Sequence, residues 1–157
     1  MAVAVAALFG AALTGCGVQP TGVVEAGEPA TGLTRGMRLY FASETGLRAV
    51  PLLGRKVEDL AEVVKLLAQG PPPGYDEALT TLVHVSGTYE MTGRGTRVTM
   101  RLDGPHVDAG TGQLVCTLAR AQAVLEPGVR ADEVEVTIEP DDRGPSGPHR
   151  CADFLDR

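Results

Sequence analysis

Side chains able to act as nucleophiles, general bases or metal ligands are few in this chain and lie far apart. Its histidines, none at the spacing of an H-E-x-x-H zinc motif, are His84, His106 and His149. Its serines, none within a G-x-S-x-G turn, are Ser43, Ser86 and Ser146. Neither of the glycine-rich phosphate-binding motifs occurs. We therefore predict no catalytic residue, no metal site and no cofactor, and we expect that the protein is not an enzyme.

The composition limits the number of domains and the class of ligand. With 157 residues, the chain has room for one domain of ordinary size. Its formal net charge of −6 argues against binding to nucleic acid, whose phosphates need a basic surface. The chain has 3 Tyr, 3 Phe and no Trp, which argues against a glycan site built on stacked aromatic rings. We expect no small-molecule substrate.

The N-terminal segment has the features of an export signal. Residues 2–14 are uncharged and mostly apolar, but they are too few for a transmembrane helix, which needs about 20 residues. Their number is typical of the apolar region of a secretory signal peptide. The segment ends in Leu13-Thr14-Gly15-Cys16, which resembles the lipobox of bacterial lipoproteins. The resemblance implies that the Cys16 thiol is diacylglycerated and that residues 1–15 are removed. The alternative is a buried N-terminal strand or helix with an incidental cysteine.

Lipid on Cys16 would hold the mature protein on the outer face of the cell membrane. One acyl chain binds a membrane only reversibly, whereas two chains give a stable anchor, since each buried methylene contributes roughly 0.8 kcal/mol. Residues 16–35 contain Gly, Pro and Thr throughout and show no sustained apolar period. We interpret them as the lipidated cysteine and a flexible tether. The predicted location is therefore extracytoplasmic and lipid-anchored.

The two other cysteines form an even pair once Cys16 is set aside. In an oxidising compartment such a pair favours a disulfide, so we predict a bond between Cys116 and Cys151. It would hold the polar C-terminal tail, residues 141–157, and stabilise the fold by roughly 4 kcal/mol on the chain-entropy estimate. Two free thiols are one alternative. A metal site with His149 is another, but it would supply three of the four ligands that a closed zinc site needs.

Alternation of apolar and polar residues predicts several strands. The first contains Met37, Leu39 and Phe41, and a turn at 43–46 leads to a second extended segment at 47–53. Residues 79–92 give mixed signals, with a strand around Leu82–Val85 as one interpretation. The later predicted strands contain Val98, Met100 and Leu102, and then Val134, Val136 and Ile138.

Two segments have the spacing of a helix that buries one face. The first is 57–70, where Gly70 and the prolines after it end the helix. The second runs from about Gln113 to Leu125, and Thr111 is a candidate for its N-terminal cap. The order of elements predicts an α+β fold, a small two-layer sandwich of a mixed or antiparallel sheet with two helices on one face.

Several of these segments resemble a GerMN domain. The resemblance covers roughly residues 37–139 and predicts a GerMN-like domain over 36–140. It is clearest at the end of the first helix, where Leu66-Leu67-Ala68-Gln69-Gly70-Pro71-Pro72 is similar to the family's LL-x-GP signature. The other matching residues are Arg38-Leu39-Tyr40-Phe41, Leu47, Val50-Pro51, Arg55 and Thr117-Leu118. The resemblance implies a fold related to ring-building motifs, and motifs that are structural rather than catalytic.

Two functions from different classes follow. The GerMN resemblance implies a non-enzymatic interaction or assembly module, whose partner is another envelope protein, such as a membrane sensor or an assembly complex. The alternative is a lipoprotein that binds or hydrolyses cell-wall glycan, which would need paired carboxylates in a cleft. The scarcity of aromatic residues favours the first function.

Overall fold

A computed structural model describes residues 36–75, 78–85, 87–103 and 108–155. The predicted signal peptide, Cys16 and the predicted tether lie outside these ranges. The described strands are β1 (Arg38–Ser43), β2 (Gly46–Pro51), β3 (Tyr89–Arg94), β4 (Arg97–Leu102), β5 (Glu135–Pro140) and β6 (Ser146–His149). The α-helices are α1 (Leu60–Ala68), α2 (Thr111–Leu125) and the short α3 (Ala152–Leu155). The predicted α+β class is confirmed.

The first two strands form an antiparallel hairpin that is separate from the main sheet. Leu39 and Phe41 of β1 are buried, as their alternation predicts. The turn is held by Ser43, whose hydroxyl donates to the carbonyl of Gly46 at 2.8 Å. On its other edge, β1 donates from the Tyr40 N–H to the Thr117 hydroxyl at 2.9 Å. The Thr117 side chain thus joins the hairpin to α2.

The start and the end of helix α1 are each explained by a residue next to the helix. Asp59 is its N-cap, and the Asp59 carboxylate accepts the N–H of Glu62 at 2.7 Å. The Glu62 carboxylate in turn accepts from Arg55 at 3.0 Å. At the other end Gly70 has φ +90°, a conformation that glycine adopts without steric cost. The helix is therefore shorter than the predicted 57–70, since Asp59 starts it and Gly70 stops it.

The larger sheet has four strands in the order β3-β4-β5-β6. Strands β4 and β5 are parallel, and the other neighbours are antiparallel. A parallel pair needs a long connection, and here α2 lies within that connection. The buried side chains of β4 and β5 share one face of the sheet and are Val98, Met100, Leu102, Val136, Ile138 and Pro140. The single predicted sheet is thus divided into a hairpin and a mixed sheet.

Helix α2 is the centre of the domain. It packs against β1, α1 and the strands β4 and β5. Ten of its residues are buried, on more than one face, including the polar Gln113, Thr117 and Gln122. Thr111 lies inside the first turn rather than at the cap, because the N-cap is Gly110, which has no side chain with which to cap the helix. The proposed capping role of Thr111 is therefore wrong.

The segment before the larger sheet differs from its prediction. Leu82–Val85 forms no strand, and Thr80 makes only an isolated bridge with Ala42. The side chain of Gln113 replaces a strand partner here. It accepts the N–H of Leu82 at 2.7 Å and donates to the carbonyl of Thr80 at 2.9 Å. The segment is thus bonded to α2 through side-chain hydrogen bonds that backbone patterning does not show.

Gln113→Leu is expected to lower the free energy of unfolding by about 2 kcal/mol, because it leaves the partly buried Leu82 N–H without its acceptor. Urea unfolding followed by circular dichroism measures the loss. Gln69→Leu is the matched control, since Gln69 is exposed and surface changes usually stay within about 0.5 kcal/mol. Equal stability of the two variants would show that the Gln113 contacts do not stabilise this segment.

The C-terminal residues are more ordered in structure than a tail. Strand β6 pairs with β5, and α3 follows it directly. Arg150 connects this region to β5 through an ion pair with Glu135 at 2.7 Å. The ring of His149 meets the ring of Phe154 edge-on, with 5.5 Å between their centres. Residues 141–155 therefore extend the folded domain beyond the predicted boundary at 140.

Candidate functional site

Cys116 and Cys151 form a disulfide, as predicted. Their Cα atoms are 4.4 Å apart, and the bond joins the middle of α2 to the residue before α3. This disulfide excludes both alternatives, which were two free thiols and a metal site formed by the two cysteines with His149. Within the described ranges, no group of three or more His, Cys, Asp or Glu side chains is placed to hold a metal ion.

A groove of about 820 Å³ opens beside the disulfide. One wall is α2, a second is the loop after α2, and a third is formed by Cys151 and α3. Most of the lining side chains are apolar, and they include Ala119, Ala123, Val124, Val129 and Leu155. Leu155 is 47% exposed at the rim of the groove. The groove is thus an open, largely apolar concavity.

Arg120 gives the groove its charged group. Its Nε donates to the carbonyl of Gly36 at 2.9 Å, so it also fixes the point where the described domain begins. Its Nη2 is buried and has no hydrogen-bond partner among the described residues. Burial lowers the pKa of the Arg120 guanidinium, and the nearby charge of Arg38 lowers this pKa further. The group remains a cation at neutral pH, since an arginine stays protonated in proteins.

The charges on the rim of the groove are already paired. Arg130 contacts Asp132 at 2.8 Å and Glu133 at 3.5 Å, all of them well exposed. These contacts raise the pKa of Arg130 and lower the pKa of Asp132. Exposed pairs of this kind contribute little to stability, and their charges largely cancel for an incoming ligand. Arg120 is therefore the cation among the lining residues that has no ion-pair partner in the described ranges, and its Nη2 is shielded from solvent.

Of the histidines and serines considered for catalysis, the structure brings only one pair together within the described ranges. Ser146 and His149 come together, with 3.0 Å between the Ser146 hydroxyl and His149 Nε2. In the part of the chain that the structure describes, no carboxylate is bonded to this imidazole, and the two residues are the first and last of the short strand β6. His84 is exposed, with its Nδ1 3.2 Å from the Leu82 carbonyl. His106 and Ser86 lie outside the described residues.

Sequence reasoning did not single out Arg120, although a signal exists. Arg120 is the one charged residue among residues 111–125, within a helix of otherwise uncharged residues. A lone cation on a helix that is mostly buried has to find an acceptor or leave its N–H groups unsatisfied. That pattern points to a site, but the groove itself depends on the position of α3.

Within the described ranges, no helix has both the length and the apolar character needed to span a bilayer. Cys16, the predicted lipidation site, lies outside those ranges. Comparison with known proteins gave no significant match: none to a protein-family model, to a curated protein or to a solved structure.

Proposed function

We propose that the chain is a cell-envelope lipoprotein, held on the extracytoplasmic side of the cell membrane by lipid on Cys16, which acts as a non-enzymatic interaction module. The observation that supports this proposal most strongly is that two of the three cysteines form a disulfide, which leaves Cys16 as the one in the lipobox-like sequence. Cys116 and Cys151 bond to each other, which suits an oxidising compartment. The third, Cys16, stands at the end of an apolar run in the lipobox-like sequence.

The domain supports an interaction role through its groove. The described residues form a concave, largely apolar surface there, which is suited to contact with another molecule. The GerMN resemblance of residues 36–140 points to the same class of function, a module for assembly with another envelope protein. The glycan alternative has weaker support, because Tyr40 is the one aromatic side chain that lines the groove.

Treatment of producing cells with globomycin, which blocks lipoprotein signal peptidase, tests the proposed anchoring. We expect a precursor that retains residues 1–15 to accumulate, because cleavage before Cys16 needs that peptidase. Immunoblotting of treated and untreated cells measures the change in mass, and a secreted protein without a lipobox serves as the control. Unchanged processing in treated cells would contradict the lipoprotein assignment.

A further inference from the structure

We propose that the protein forms a symmetric dimer in which β3 pairs antiparallel with β3 of a second copy, so that Glu90 of each copy lies opposite Arg94 of the other. The larger sheets of the two copies then form one continuous sheet across the two-fold axis. The inference goes beyond the proposed function, because it names a second copy of this chain as a partner. It does not depend on lipid at Cys16.

Strand β3 lies at an edge of the larger sheet, with backbone groups directed away from it. The Asp103 N–H donates to the Thr88 carbonyl at 3.0 Å, and the register of β3 with β4 continues from that pair. Alternation then directs the N–H and C=O groups of Met91 and Gly93 outward. Among the described residues, no hydrogen bond reaches these outward groups, and Gly93 is exposed. Such a row of backbone groups is a template for another strand.

The opposite edge of the same sheet is poorly suited to pairing. Strand β6 has 4 residues and includes Pro148, which has no N–H to donate. The register of β6 with β5 also shifts between Val136 and Ile138. Strand β3 has 6 residues, no proline and an unbroken register with β4. Sheets block an edge with short strands, prolines and irregular pairing, and β3 has none of these, so its charged side chains decide which strand can pair with it.

Glu90 and Arg94 are exposed, and neither forms an ion pair within the described part of the chain. The residue opposite Glu90 on β4 is Arg101, which is already bonded to Glu139 at 2.8 Å. The residue opposite Arg94 is Arg97, and like charges at opposed positions repel each other. Within its own domain, Arg94 therefore has no acid beside it, and the cation nearest to Glu90 is paired elsewhere.

A second copy in antiparallel orientation supplies both missing charges. With the two-fold axis at Thr92, Glu90 of each copy lies opposite Arg94 of the other, and Met91 lies opposite Gly93. The Met91–Gly93 pairs are those whose backbone groups point outward, so they exchange hydrogen bonds. Gly93 has no side chain, so Met91 meets no bulk across the axis. An axis at Met91 would instead place Glu90 opposite Thr92 and leave the charges unpaired, so charge complementarity selects the register.

Analytical ultracentrifugation of the purified full chain with Cys16→Ser tests the charge pairing. At about 0.15 M salt the Debye length is about 8 Å, which screens most of the repulsion between two copies and retains the short Glu90–Arg94 contacts. Glu90→Arg places an arginine opposite Arg94 and is expected to raise the dimer dissociation constant at least about tenfold. Glu90→Arg/Arg94→Glu places opposite charges together again and is expected to bring the constant back toward the parent value.

Glu44→Arg is the matched control for the charge change. Glu44 is exposed in the turn between β1 and β2, so the same substitution there is expected to leave the dissociation constant unchanged. Circular dichroism verifies that all the variants are folded. A parent chain that stays monomeric would overturn the proposal, and so would a folded double variant that dimerises as weakly as Glu90→Arg.

Disulfide cross-linking tests the register. Thr92 lies opposite itself at the axis, so Thr92→Cys in the Cys16→Ser chain is expected to give a covalent dimer under mild oxidation. Cys116 and Cys151 are bonded to each other and supply no free thiol. Glu90→Cys is the control, because the two copies of position 90 would lie about 14 Å apart, beyond the reach of a disulfide. Equal cross-linking of the two variants would overturn the register.

Another occupant of this edge would give a distinct result. If a strand of a different protein pairs with β3, Thr92→Cys in intact cells will form a mixed cross-linked species and no homodimer, which would overturn the assignment to a second copy. The result is also separable from the test of anchoring. Normal processing in globomycin together with a dimer would refute the lipid anchor alone, whereas blocked processing together with a monomer would refute the dimer alone.

Discussion

Cys16→Ser is expected to move most of the protein from the membrane fraction to the soluble fraction or the medium. The physical reason is that the serine hydroxyl cannot take the place of the thiol in diacylglyceryl transfer. The chain has a net charge of −6, so electrostatic attraction to anionic lipid cannot replace the lost acyl chains. Ultracentrifugation of cell lysates followed by immunoblotting measures the distribution, and labelling with a radioactive fatty acid measures the modification itself.

Gly17→Ala is the matched control for this substitution. It changes the adjacent residue but keeps the thiol, so the variant is expected to stay in the membrane fraction and to incorporate the label. A Cys16→Ser protein that remains bound and processed like the parent would show that something other than lipid on this cysteine retains the chain. The proposed interaction role of the groove would then need another explanation of how the protein is held at the membrane.

Removing the disulfide is expected to have the largest effect on stability. The Cys116→Ala/Cys151→Ala variant should lose about 4 kcal/mol of unfolding free energy, because the bond closes a loop with a sequence separation of 35. The loss is a large fraction of the total for a domain of this size. Urea unfolding of the variant and the parent, both in the Cys16→Ser background, measures the difference in midpoint.

Reducing the disulfide of the parent protein is the control for the side-chain atoms that the alanine substitutions remove. Cys116 is 1% exposed, so alanine there also removes packed atoms. The reduced parent keeps those atoms and is expected to lose nearly as much stability as the double alanine variant. A loss below about 1 kcal/mol in both would mean that the reduced chain is already constrained near α2 and α3.

The elements that could be predicted are those whose cause is local in the sequence. The end of α1 is set by Gly70 and the prolines after it, and its start by Asp59. The buried faces of β4 and β5 follow from strict alternation of apolar residues. These signals depend on a few neighbouring residues, so they can be interpreted without knowledge of the tertiary structure.

The features that could not be predicted depend on contacts between distant residues. Strand β3 has no fully buried side chain and contains Gly93, where a Cβ atom would displace the side chains of Gln122 and Leu60. The parallel pairing of β4 with β5 depends on where α2 packs. The groove depends on α3, and α3 is held to α2 by the disulfide. Of the candidate site, the sequence predicted the disulfide but not Arg120.

The Cys116–Cys151 bond also changes what a protease can do to this protein. The covalent ring that it closes contains the end of α2, the loop after it, β5 and β6. A single cut inside that ring, for instance after the exposed Arg130, leaves both fragments joined and the larger sheet still paired. The nicked chain would migrate as one species on a gel until a reductant separates the two pieces. The ring thus makes the loop after α2 tolerant to cleavage.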